Sequence, residues 1–370
     1  MKGLVRILIV LVVAFMLLGA IMVFTASGTY SVTKFNNIYY LFKSHLWKVL
    51  AAGFLFIVFA NIPYDIYRKY SKPLLLGIIV VLIGTFLFAP KVKGAARWID
   101  LGFIQFQPSE AAKLILIMHL AMMIDKFDEK ITDFKEGFGF TLIWIVIISF
   151  LVLIQPNVST SFIIAATGFA LLYVGGARIK HISFTFLTAV GFASIAIAIL
   201  KHARERVLSY FQSLITGNDI NTQVTQAKIA LGSGGWLGIG LGHSRQSDLF
   251  LPESYGDFIF SILGEELGLA GTITVLFAYL FLFVICLVIA KKSQDKFGQL
   301  LVFGLGFNIL LSAFINAGVV TGLLPTTGIT LPFISFGGTS IILFAVSAGI
   351  IVNVALESFK TEELKIAQVG

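Results

Sequence analysis

Residues 275–290 read VLFAYLFLFVICLVIA, a stretch with no charge and no alternation of apolar and polar positions. The apolar character begins near residue 267 and stops at Lys291 and Lys292. Such a run is too long for a buried strand and too uniformly apolar for one face of a soluble helix. About 20 residues of this kind cross the hydrocarbon layer of a bilayer as an α-helix. Comparable runs lie at residues 5–25, 46–62, 73–89, 109–124, 139–155, 159–175, 182–200, 298–323 and 332–355. With 267–290 they predict an all-α polytopic membrane protein of about ten spans, and the lack of period-2 alternation excludes a transmembrane β-barrel.

Composition agrees. Of 370 residues 58% are apolar and only 12% charged, against about 25% in soluble domains; the mean hydropathy is +0.95. A disordered chain, a disulfide-stapled secreted domain and an ordinary soluble enzyme are excluded. The single Cys286 lies within an apolar run and reads as a small apolar residue, and no metal-ligand spacing of Cys and His occurs. The opening MKGLVRILIVLVVAFMLLGAIMVFT lacks a small-x-small site close to its apolar run, so it reads as a first span rather than a signal peptide.

The net charge of +8 reads as orientation in a membrane rather than as affinity for nucleic acid, because Lys and Arg gather in cytoplasmic loops. With both termini in the cytoplasm, that side carries 15 Lys and Arg, including Arg68, Lys126, Arg178 and Lys291, in about 57 residues, against 10 in about 118 outside. Two external segments then stand out: 90–108, and a large one, 201–266, between the seventh and eighth spans. Function outside the bilayer is expected in these.

Polar groups inside apolar runs carry the next layer. Glu110 and Lys113 share a helix face near the external end of the fourth span, as a structural ion pair or as part of a polar cavity. His119, deeper in that helix, reads as a packing residue. Asn308, Ser312 and Asn316 form a stripe that interhelical hydrogen bonds explain. Residues 232–242, GSGGWLGIGLG, are neither a phosphate-binding P-loop nor a dinucleotide fingerprint; such glycines let backbone lie close to protein or lipid headgroups. Asp257, in YGDFIFSILG, is a carboxylate in an apolar setting, either structural or suited to taking a proton. Glu265 and Glu266 read as hydrogen-bonded residues at the entry of the eighth span. GLLPTTGITLPFISFGGTS (322–340) breaks the helix between the last two spans, where irregular backbone is tolerated if it lines a cavity.

Five ordered blocks give the sequence a resemblance. They are GAARWIDLG (94–102) with FQPSEAAKL (106–114), QPNVSTS (155–161), ALGSGGWLGIGLGHSRQ (230–246), FLPESYGDFIFSILGEELG (250–268) and the 322–340 block. In these blocks the chain resembles the shape, elongation, division and sporulation (SEDS) family, the group containing FtsW, RodA and SpoVE, as one membrane domain over nearly its whole length. HSRQ and LPTTGITLPF resemble the division branch more than the elongation branch. Asn157 stands where the family usually carries an acidic residue, and Thr327 where it often carries Lys.

The resemblance implies a peptidoglycan glycosyltransferase that polymerises lipid II on the outer face of the cytoplasmic membrane, at the division septum in the favoured reading, with a lateral elongation polymerase as the alternative. It places the family's essential acid on Asp257. It implies cations at the leaving pyrophosphate, for which Arg97, Lys113 and Arg245 are candidates, with Glu110 orienting Lys113 and with Ser244 and Gln246 beside Arg245. It implies a class B penicillin-binding protein as partner, other divisome proteins, membrane lipid, a possible divalent cation (magnesium or manganese) and no organic cofactor or nucleic acid. Two rivals remain from the residues: a lipid II flippase, and a scaffold that only recruits the transpeptidase.

Overall fold

The apolar runs fold as helices because a backbone in hydrocarbon must satisfy its own N–H and C=O groups. A computed structural model of the protein describes residues 2–90, 96–100, 102, 105–199, 201–216, 221–248 and 250–369. Lys91, Lys93, Asp219 and positions 94, 95 and 101 of the GAARWIDLG block lie outside the described residues, as do the side chains of Lys201, Lys360 and Lys365.

The elements run α1 (Lys2–Phe35), α2 (Tyr40–Asn61), α3 (Asp65–Phe88), a two-residue antiparallel pair β1 (Ile99–Asp100) and β2 (Gln105–Phe106), α4 (Pro108–Phe127), α5 (Gly139–Ile154), α6 (Val158–Val174), α7 (Ile179–Ile199), α8 (Lys201–Thr216), α9 (Thr222–Ser233), α10 (Ile259–Lys292), α11 (Lys296–Val320) and α12 (Thr339–Val369). Among the described residues, eight helices are long and apolar enough to cross a membrane: α1, α2, α3, α5 with the turn before it, α7, α10, α11 and the Thr339–Phe359 part of α12. The 17-residue α6 and the 20-residue α4, which carries Glu110 and Lys113 inside its span, bring the set to ten. These are the ten expected spans. α4 and α11 are interior: α4 packs on α3, α5, α6, α11 and α12, and α11 on α4, α6, α10 and α12.

Several helices outrun the expected spans, α1 reaching Phe35 and α3 starting at Asp65, and two boundaries bear on the site. The eighth helix begins at Ile259, not near residue 267, so the large loop ends earlier and contains α8 and α9. The helix is broken at Gly268 (φ 69°, ψ −170°), so the part expected as a span is its lower section, and Ile259–Leu267 is a separate buried turn of helix above it. The tenth helix begins at Thr339 rather than 332, because residues 328–338 are held in irregular backbone.

The alternation of helices puts β1 and β2, the 155–157 turn, residues 221–248 and 250–258 and the 321–338 segment at one end of the bundle. At the opposite end Arg68 pairs with Asp125 and Asp295, Lys296 with Asp128 at 2.8 Å, and Tyr64 donates to Asp295 at 3.2 Å. Asp295 also caps α11 by accepting from the Gly298 N–H.

Candidate active site

Asp257 lies two residues before the first turn of α10, half-buried. Its loop is pinned on three sides. Ser254 Oγ donates to the Ala26 carbonyl of α1 at 3.2 Å, and the Phe336 N–H donates to the Tyr255 carbonyl at 2.9 Å. Asn316 of α11 spends both amide hydrogens on backbone, donating to the carbonyls of Asp257 and Ile329, each at 2.7 Å. One side chain thus ties the Asp257 loop to the LPTTGITLPF segment. Gly328 (φ 76°) lies against the carboxylate itself, and a Cβ there would sit 3.3 Å from Asp257 Oδ2. The left-handed backbone at this position favours glycine.

The 328–338 segment is fixed in turn. Tyr279 of α10 donates to the Pro332 carbonyl, Ser335 Oγ accepts from the Leu331 N–H at 2.7 Å, and Thr330 and Ser340 hydroxyls share a bond of 2.8 Å. Gly19 of α1 lies so close that a Cβ would meet Ile334 Cα at 2.8 Å. Irregular backbone at membrane depth persists because protein groups take the roles that water would play.

Glu110 and Lys113 form the expected pair, Nζ to Oε1 at 2.9 Å, with Lys113 only 5% exposed and its ammonium 5.6 Å from the Phe344 ring centre. Both face a small cavity that Asn308, Leu343 and Ser347 also line. Asn308 and Asn316 belong to one stripe of α11, eight residues apart, so about 12 Å of helix axis separates the Lys113 cavity from the Asp257 loop. Within the stripe Ser312 Oγ donates to the Asn308 carbonyl of its own helix at 2.8 Å, while Asn316 reaches loop backbone, and Asn316 is the residue whose role sequence reading missed. His119 is buried with its ring edge-on to Trp144, as a packing residue is.

Arg97 is placed differently from a ligand-binding cation standing in open water. Its Nε donates to the Gln155 carbonyl at 3.1 Å and its Nη2 to that of Pro156, so it holds the turn that follows α5. Burial, and secondarily Arg206, hold its guanidinium below its ordinary value. Arg206 donates to the Thr326 carbonyl at 3.3 Å, which brings α8 over the PTTG turn. The two guanidinium groups are thus close enough to repel each other beside the PTTG turn.

Ser244, Arg245 and Gln246 converge on one carboxylate. Glu265, 1% exposed, accepts from Ser244 Oγ at 2.5 Å, the Arg245 N–H at 3.1 Å, the Gln246 N–H at 3.3 Å and Ser233 Oγ at 3.3 Å. Glu266 beside it accepts from Thr25 Oγ1 at 3.0 Å and the Gly242 N–H at 3.1 Å. Ser244 is committed inside the protein, while the Arg245 side chain is exposed. The break at Gly268 gives the glycine-rich loop its task. The carbonyls of Glu265 and Glu266 accept from Ile239 and Gly240, and the N–H groups of Leu269 and Ala270 donate to Gly235 and Trp236. Any Cβ at Gly238 would collide with the Glu266 carbonyl, and at Gly234 with that of Gly264. The glycines lie against protein backbone, where a helix has lost its own bonds.

The comparisons with known proteins agree with this architecture. The FTSW_RODA_SPOVE family model, described as "Cell cycle protein", matches residues 5–360. The chain is 35% identical over 352 residues to a "Probable peptidoglycan glycosyltransferase FtsW" of Geobacter metallireducens, covering 94% of each chain. It is 34% identical to the "Stage V sporulation protein E" of Bacillus subtilis, over 94% of this chain and 96% of that one. In fold it is similar to a solved chain described under "Structural coordination of polymerization and crosslinking by a peptidoglycan synthase complex" (TM-score 0.77, 21% identity, 95% of this chain and 97% of that one). It is also similar to the rod shape determining protein RodA of Thermus thermophilus (TM-score 0.70, 21% identity, 95% and 96%). Matched from residue 5 to residue 360, the chain belongs to the FtsW/RodA/SpoVE family of cell cycle proteins.

Proposed function

We propose that this multi-pass membrane protein is a peptidoglycan glycosyltransferase that polymerises lipid II, with Asp257 as its proton acceptor. One observation carries the reading: the Asp257 carboxylate is half-buried, set against Gly328, on a loop whose backbone Asn316 ties to the 329 segment. A base held this way can meet an acceptor hydroxyl without reorganising.

In the reaction the acceptor GlcNAc 4-hydroxyl attacks C1 of the donor MurNAc. The new C1–O4 bond forms with inversion, the C1–O bond to undecaprenyl pyrophosphate breaks, and the hydroxyl proton passes to Asp257. Negative charge grows on the departing pyrophosphate. Lys113, oriented by Glu110, and the exposed Arg245 are this chain's cations for it, with Arg97 acting more through the turn it holds. Ser244 and Gln246 position Arg245 through Glu265. Among the described residues no three His, Cys, Asp or Glu side chains converge on a metal position. A magnesium or manganese ion would supply further positive charge for the departing pyrophosphate.

The Asp257 end faces outward in this reading and both termini face the cytoplasm, supported by the excess of Lys and Arg at the opposite end. The identity to relatives named FtsW and to the sporulation protein supports the division branch and a septal site. A class B penicillin-binding protein is the expected partner, and the likeness to a chain of a complex that couples polymerization to crosslinking supports it. The test is to incubate the purified full chain, with such a partner, with lipid II in detergent. Glycan strands on a gel support the enzyme. Their absence with an active partner present favours a transporter or scaffold, since detergent leaves no second compartment to fill.

A further inference from the structure

The tip of the glycine-rich loop is left unexplained by the reaction. Trp236 is 75% and Leu237 84% exposed, and Ile239 and Leu241 are exposed beside them. Four apolar side chains on one solvent-facing loop are costly in water unless something covers them.

The position of the loop says what does. Below the break at Gly268, Leu269–Ala290 is continuous helix ending at Lys291 and Lys292. Its length is about 33 Å, which matches the roughly 30 Å hydrocarbon layer. The two lysines mark one boundary of that layer, so Leu269 and Ala270 mark the other. Ala270 donates its N–H to the Trp236 carbonyl at 3.1 Å, and Leu269 to that of Gly235 at 2.8 Å. The loop is therefore bonded to α10 at the depth where acyl chains meet headgroups. Leu269, Ile273 and Phe277 of α10, successive at helical spacing, are exposed on the span that begins where the loop is bonded. His243 and Arg245, both exposed, directly follow the tip and supply cationic or polar groups beside it. A Trp beside leucines under a cationic rim is the composition of a membrane interface.

We infer that residues 236–241 form a membrane-interface wedge that inserts Trp236 and Leu237 at the headgroup–acyl boundary on the Asp257 side of the bilayer. The backbone bonds to the broken helix hold the wedge rigidly, so it fixes the depth at which the Glu265-organised 244–246 loop meets the lipid surface.

The test reads depth and is independent of polymerisation. Leu237→Cys is made in the full chain, spin-labelled and reconstituted into vesicles of phosphatidylcholine and phosphatidylglycerol; the only native cysteine, Cys286, is buried. Leu237 packs on little, so the variant spares the fold. Glu129→Cys, exposed at the opposite end, is the aqueous reference. The expected result is more frequent collision with oxygen than with a water-soluble nickel chelate at 237, and the reverse at 129. Chelate access at 237 equal to that at 129 overturns the inference. So does shielding from both reagents, which would mean that protein rather than lipid covers the tip. As a second measurement, Trp236→Phe is expected to remove the part of the tryptophan emission that vesicles brominated near the headgroups quench; unchanged quenching also overturns it.

Discussion

The two ends of the bundle differ in how far their polar groups are shielded from water. At the Arg68 end, charged side chains meet charged side chains: Arg68 with Asp125 and Asp295, Lys296 with Asp128, most of them partly open to solvent. At the Asp257 end the one pair, Glu110 with Lys113, is buried, and polar side chains also hold loop backbone: Asn316 holds two carbonyls, and Glu265 collects two N–H groups and two hydroxyls. Exposed pairs are interchangeable staples, because water competes for both partners. A buried side chain bonded to backbone specifies a chain path, since removing it strands groups that have no other partner. The family's reaction is proposed at the end where the path is specified.

That contrast can be broken by substitution. The largest effect is expected for Glu265→Leu, which leaves Ser244, Ser233 and two N–H groups without their acceptor. It should cost about 3 kcal/mol or more, read as a large fall in Tm in detergent, with Glu265→Gln falling less. Next, Gly238→Ala, which needs φ 82° and collides with the Glu266 carbonyl, should cost about 2 kcal/mol. Gly235→Ala, at φ 53° with open space around it, should cost nearer 1 kcal/mol, on the order of a strained backbone alone. The gap between the two separates collision from backbone strain. Asn316→Ala should slow polymerisation about 10-fold with little change in KM, because it loosens the Asp257 loop without touching the substrate. The smallest effect is expected for Arg68→Ala: about 1 kcal/mol, diminished by salt, and no change in polymerisation. An Arg68 effect equal to that of Glu265 would erase the distinction between the two ends.

The ten spans were legible because lipid demands long apolar runs, and even Glu110 and Lys113 did not disguise α4. Asp257 was legible as a carboxylate in an apolar block. The break in α10 was legible only in part: Glu265 and Glu266 put a hydropathy edge near Gly268, but nothing in the apolar IFSILG before them marks a further helix joined across the break. Glu265 was visible as a hydrogen-bonded acid, but its partners include backbone groups some 20 residues away, and backbone leaves no mark on a sequence. Asn316 stood in a visible stripe whose targets, two loop carbonyls, were equally unmarked. For Arg97, a candidate cation for the pyrophosphate, the carbonyls it meets at 155 and 156 were likewise unmarked.

The central claim is that Asp257 takes the proton. The most direct measurement compares wild type with Asp257→Asn, which keeps the shape and loses the base, in lipid II polymerisation with the partner present. Asn316 and Phe336 bond the backbone of this loop, so both proteins should share a Tm. The account predicts a loss of about 10²–10⁴-fold in strand formation with lipid II binding retained. Strands formed by the folded variant at the wild-type rate would contradict it.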